Sequence, residues 1–171
     1  MFVPIMALFI NASFAPIMML MPKRMLDLGA GAQGFALMEA LVTAGMIVGG
    51  AVVATLGARF RPELGVTVGL AGVALALVGF SASGTLLPIL ALSLAMGVGL
   101  AGTNNGIGVL LPRLVEPEFR GRVFGLIGMV SQVGMPLTLL LLAPVADRLP
   151  IEAIFAVAGG VTALATLAWT F

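Results

Sequence analysis

The chain has 171 residues, 61% of them hydrophobic and 9% charged, where a soluble domain carries about 25% charge. A surface so poor in charge has to face lipid, so the expected fold class is an all-α membrane protein, and a net charge of +1 points to no nucleic-acid partner. The absence of Cys and His excludes disulfides, thiolate or imidazole metal sites and Ser–His or Cys–His hydrolases; no cofactor, metal site or enzymatic activity is expected.

A bilayer core of about 30 Å is crossed by roughly 20 apolar residues in a helix. Six such spans are expected, separated by turn and charge signals. The first, about 2–21, carries Asn11, a helix-breaking Pro16 and the start of a methionine cluster, Met18, Met19, Met21 and Met25. Those methionines read as ordinary apolar filling or as a permissive substrate wall. The second, about 33–56, carries Glu39 and Thr43 one turn apart on one face, with Gly45 and Gly49 spaced for close helix packing. The third, about 64–80, is short and has no amide or carboxylate beyond its entry residues.

The fourth, about 86–111, contains "GTNNGIG", which sets Thr103, Asn104 and Asn105 deep in an apolar stretch, with Gly102 and Gly106 spaced like Gly45 and Gly49. Asn104 and Asn105 point about 100° apart, so one neighbour cannot satisfy both amides. The fifth, about 123–143, holds Ser131, Gln132 and Thr138 and is broken by Pro136; the sixth, about 151–171, has only threonines past Glu152. "GVGLAG", Gly97 to Gly102, matches a dinucleotide fingerprint but lies inside a span, without the strand and helix start that motif needs.

Polar groups thus mark spans one, two, four and five and leave three and six dry, a pattern of two three-helix units, about 1–82 and 83–171, in one bundle. Each amide reads either as helix–helix glue or as a cavity lining. Glu39 reads as an interfacial carboxylate or a protonatable site. Connections two and four hold Arg59, Arg61, Arg113, Arg120 and Arg122, against Lys23, Arg24 and Arg148 on the other side. Five against three puts the first side, and both termini, in the cytoplasm. The apolar, uncharged ends suggest a fragment of a longer chain without a signal peptide.

The stretch from Asn104 to Gly160 carries a resemblance. "VEPEFRGRVFGL" is followed by a Pro-containing helix and then "APVADRLPI"; earlier, "LGAGAQGFALMEALVTAGMIVGGAVVATLGARFR" adds a second match. With these motifs the chain resembles the C-terminal half, helices seven to twelve, of a major facilitator superfamily transporter, in the branch of macrolide-efflux-like drug exporters. Pro150 stands where glycine is usual, and "GARFRPELG" keeps Gly57, Arg59, Arg61 and Gly65 of the superfamily's cytoplasmic motif but lacks its Asp.

The resemblance implies a half built from two three-helix inverted repeats and proton-coupled efflux of lipophilic or amphiphilic small molecules by alternating access. It also implies a multi-pass location, in a bacterial inner membrane. The missing N-terminal six-helix half, or a second copy, becomes a partner alongside lipid, protons and substrate. Glu39, Asn11, Thr43, Asn104, Asn105 and Gln132 become cavity or proton-site candidates. Arg59, Arg61, Glu116, Glu118, Arg120 and Arg122 become cytoplasmic-gate candidates, Arg120 and Arg122 pairing with Glu116 or Glu118 or simply anchoring the positive side. Two other readings stay open, a complete six-span homodimeric transporter and a non-transport scaffold.

Overall fold

The computed structural model describes the backbone of residues 2–146 and 148–170; residues 2–14, 130, 131, 134, 135, 145 and 170 are described by backbone alone. The described residues form α1 (Phe2–Asp27), α2 (Gly31–Leu56), a single 3-10 turn (Gly57–Arg59), α3 (Pro62–Ala82), α4 (Leu86–Leu114), α5 (Arg120–Ala146) and α6 (Ile151–Thr170). They contain no strand. Among the described residues, four stretches are long and apolar enough to cross a membrane: Gly31–Arg59, Pro62–Ala82, Leu86–Leu114 and Ile151–Trp169.

The helix boundaries follow from local chemistry. Gly29 and Gly31, at φ 74° and 55°, adopt the left-handed backbone that glycine tolerates best, and so fold the α1–α2 connection into Leu28 to Ala30. Pro62 opens α3 at its first position, where the missing N–H costs nothing, after an extended Arg61. α3 reaches 21 residues, longer than its apolar run.

Two expectations are corrected. α1 does not stop before "PKR": it runs on through Pro22 to Asp27. Its last turns are held by packing, because Met21 and Met25 are fully buried. Nor do Pro16 and Pro136 break their helices; α1 and α5 continue through both. A proline in a membrane helix is tolerated where neighbouring groups and local adjustment satisfy the freed carbonyl.

α4 is the spine of the bundle, flanked by α2 and α3. α3 also packs on α6, and α1 packs mainly on α5, with smaller contacts to α6 and α2. The α4 contacts are backbone-close. A Cβ on Gly97 would collide with the Val42 carbonyl, and one on Gly45 with the Leu94 carbonyl. On the other face of α4, a Cβ on Gly99 would lie 2.8 Å from the Gly69 oxygen and one on Gly106 2.6 Å from the Pro62 oxygen. Gly97, Gly99, Gly102 and Gly106 of "GVGLAG" and "GTNNGIG" are therefore helix-packing residues, whereas Gly108 meets no neighbour.

The main core joins Met21 and Met25 of α1 to Met38, Phe80, Ile89 and Phe155, with the Phe80 and Phe155 rings edge to face at 6.0 Å. The buried methionines are core filling. A smaller cluster of Val66, Leu70 and Leu110, flanked by Trp169, closes the other end. The outward faces of α3 and α6 carry exposed apolar side chains such as Val68, Leu75, Val157 and Leu164.

Candidate functional site

Of the polar side chains that sequence reasoning singled out, Thr43, Asn104, Asn105 and Gln132 are exposed at the surface of this bundle. Glu39 is half-buried on α2, beside the stripe Met38–Val42–Gly45–Gly49 that packs inward. Thr43 is exposed and donates its hydroxyl to the Glu39 carbonyl oxygen at 3.0 Å, so the two share a face one turn apart. Asn104 and Asn105 are both exposed on α4. The Asn105 amide donates to the Ala101 carbonyl of its own helix at 2.8 Å. Gln132 is exposed on α5. The Asn11 side chain lies outside the described residues.

These groups are not brought together at one point. α2 and α4 run parallel, with Gly45 level with Gly97. Glu39 lies six residues before Gly45, and Asn104 lies seven after Gly97. At 1.5 Å per residue, the carboxylate and the amides are separated by roughly 20 Å along the bundle. Among the described residues, neither asparagine bonds to another helix. Thr103, their neighbour, is different: it is fully buried against Gly69 and donates to the Gly99 carbonyl at 3.2 Å.

The basic end is arranged differently from the expected ion pairs. Arg120 donates from Nε to the Val115 carbonyl at 3.2 Å and from Nη2 to the Pro112 carbonyl at 2.9 Å. It thereby satisfies carbonyls left open at the end of α4. Arg59, Arg61 and Arg122 are exposed, as are Glu116 and Glu118. The one ion pair among the described residues is at the opposite end, between Arg24 and Glu152. Sequence reasoning missed it. The signal that was available is that both residues flank connections assigned to the same membrane side.

Long apolar helices, backbone-close helix contacts and polar groups reserved for particular faces define a multi-pass integral membrane protein. The family model for the Major Facilitator Superfamily matches residues 2–171, and the chain belongs to that superfamily. No curated protein and no solved structure matches it.

Proposed function

We propose that the chain is a six-span half of a proton-coupled exporter of lipophilic or amphiphilic small molecules, working by alternating access. Glu39 is assigned the proton-carrying role. Asn11, Thr43, Asn104, Asn105 and Gln132 are assigned to the wall of the substrate path, and Arg59, Arg61, Glu116, Glu118, Arg120 and Arg122 to a cytoplasmic gate.

The observation that carries this reading is the exposure of Thr43, Asn104, Asn105 and Gln132, with Glu39 half-exposed beside Thr43, in an otherwise apolar bundle. A carboxylate facing hydrocarbon costs about 2.5–3.5 kcal/mol at the bilayer centre. Such faces make physical sense against water or a second six-helix bundle. The roughly 20 Å between Glu39 and the asparagines suits a path with a proton step and a substrate contact at different depths.

The helix pairing supports the inverted-repeat reading. Exchanging α1–α3 with α4–α6 turns α1·α5 into α2·α4, turns α1·α6 into α3·α4, and returns α3·α6 to itself, all of them observed contacts. The contact between α1 and α2 has no counterpart of like extent among the described residues. The drug-exporter branch rests on the "VEPEFRGRVFGL" and "APVADRLPI" resemblance. The bacterial inner membrane and the cytoplasmic termini rest on the resemblance and the arginine bias.

The test is transport by the complete protein in proteoliposomes under an imposed pH gradient, read with a lipophilic fluorescent cation. Glu39→Gln is expected to lower gradient-driven uptake by roughly tenfold or more, about 1.4 kcal/mol, while leaving substrate exchange without a gradient. Unchanged gradient-driven transport removes Glu39 from the role. Wild-type protein that moves none of a panel of such compounds in response to the gradient removes the proposal.

A further inference from the structure

A second feature lies on the side of α4 between α2 and α3. There a groove of about 300 Å³ opens to the surface, at the lower limit of the roughly 300–1,000 Å³ typical of ligand pockets. Its floor is glycine backbone, including Gly69 and Gly99, and its walls are Val52, Leu56, Phe60 and Val68. The lining is apolar throughout. Because the glycines lack side chains, the helix backbones themselves form a trough where most helix triplets present a ridge. The α3 wall runs from Gly65 to Gly72, seven residues or about 10 Å. One leaflet of hydrocarbon is about 15 Å deep, half of a 30 Å core. The trough therefore spans about two thirds of a leaflet, starting at the end of α2.

That end carries charge of one sign. Arg59 and Arg61 flank Phe60, which lines the groove mouth, and both are exposed. Neither is paired with an acid among the described residues. Glu63 is the one acid on this connection. It lies on α3 roughly 160° around the helix from Gly65, turned away from the trough. An apolar slot about two thirds of a leaflet deep, ending at two guanidinium groups unpaired among the described residues, is complementary to one kind of molecule: an acyl chain attached to an anionic headgroup.

We propose that this groove is a binding site for a single anionic phospholipid, with an acyl chain along Val52, Val68 and the Gly69–Gly99 floor and the phosphate on Arg59 and Arg61. Arginine suits this role because its planar fork of N–H donors matches phosphate oxygens. Basic side chains at the membrane surface also favour anionic lipid. The site shares Arg59 and Arg61 with the proposed gate but is separate from Glu39 and the asparagine pair, and lipid binding there holds whether or not the transport reading does.

The test is native mass spectrometry of the complete protein, equilibrated in detergent with phosphatidylglycerol or with phosphatidylcholine of the same acyl chains. The wild type is expected to retain one phosphatidylglycerol at roughly tenfold or more higher occupancy than phosphatidylcholine. Arg59→Ala with Arg61→Ala is expected to bind one fewer phosphatidylglycerol, and Arg59→Lys with Arg61→Lys to recover most of it. Arg113→Ala with Arg122→Ala, at the same end but away from the trough, is expected to leave it in place. Val68→Trp fills the trough from its open edge, where Val68 is 67% exposed, and is expected to expel the lipid without disturbing the core. Equal retention of the two lipids by the wild type overturns the proposal. So does a phosphatidylglycerol count unchanged in the double alanine variant, or a dimer that Val68→Trp dissociates, which would make a second copy the occupant.

Discussion

Arg24 at the end of α1 donates one guanidinium N–H to the carboxylate of Glu152, 128 positions away at the start of α6, and another to the Ser83 carbonyl just beyond α3, at 2.8 Å. One side chain thus ties three helix ends at the same face of the bundle. The Glu152 side chain is 45% exposed, so solvent screens the ion pair. Glu152→Gln is expected to cost under about 1 kcal/mol. Arg24→Ala removes both bonds and is expected to cost about 1–2 kcal/mol. Thermal unfolding in detergent, run as a double-mutant cycle, checks the difference; equal costs for the two variants would mean that the Ser83 bond contributes nothing.

The glycines of α4 and α2 should divide by face. Gly97→Ala drives a methyl into the Val42 carbonyl, and because that obstacle is backbone it cannot rotate away. A loss of about 1–3 kcal/mol or more is expected. Gly50→Ala and Gly108→Ala meet nothing within 4 Å and are expected to be neutral, or to gain up to about 1 kcal/mol from helix propensity. Melting temperatures of the three variants, compared under one condition, decide this. A stable Gly97→Ala would mean that α2 and α4 separate readily.

Asn104 and Asn105 offer a test of glue against lining. Each is exposed, and the Asn105 amide serves only its own helix. Asn104→Ala and Asn105→Ala are therefore expected to change stability by less than about 0.5 kcal/mol, as surface substitutions do. Transport by the complete protein is where their effect should fall. Marked destabilisation with unaltered transport would make them structural.

Trp169, the chain's one tryptophan, reports on the lesser core at the arginine-rich end. Leu70 is 2% exposed in the cluster that Trp169 flanks. Leu70→Ala is expected to cost about 2–5 kcal/mol and to red-shift tryptophan emission as the cluster loosens. Emission that stays unshifted while the protein is destabilised would place Trp169 away from that contact.

Much of this architecture was legible because hydropathy, glycine and proline act locally. The "GARFRPELG" connection marked the break before α3, though the helix opens at Pro62 rather than near Leu64, and the Gly-rich connection after α1 marked a turn. The spacing of Gly45 with Gly49 and of Gly102 with Gly106 announced close contacts. Which helix each pair meets was not legible, since that depends on direction around the helix and on partners dozens of residues away. The extension of α1 through Lys23 and Arg24 was hidden for the same reason. Charged residues read as a loop until the partner, Glu152, is brought beside them by the fold. The asparagines show a subtler limit. An amide can bond back to its own helix as easily as across to another, and the letters are the same in both cases.

The pairing of α1 bears on how the protein is made. α2, α3 and α4 are consecutive, and each meets a main partner soon after it emerges. α1 packs chiefly on α5, which begins at Arg120, and its remaining larger contact is with α6. Synthesis proceeds from the N-terminus at roughly 5–20 residues per second. For several seconds after insertion, α1 has only its smaller contact with α2 to hold it. Its core-facing methionines, Met21 and Met25, share a core with Met38 of α2 and Phe80 of α3, which emerge early, but that core is completed by Phe155 of α6 only when the last part of the chain is made.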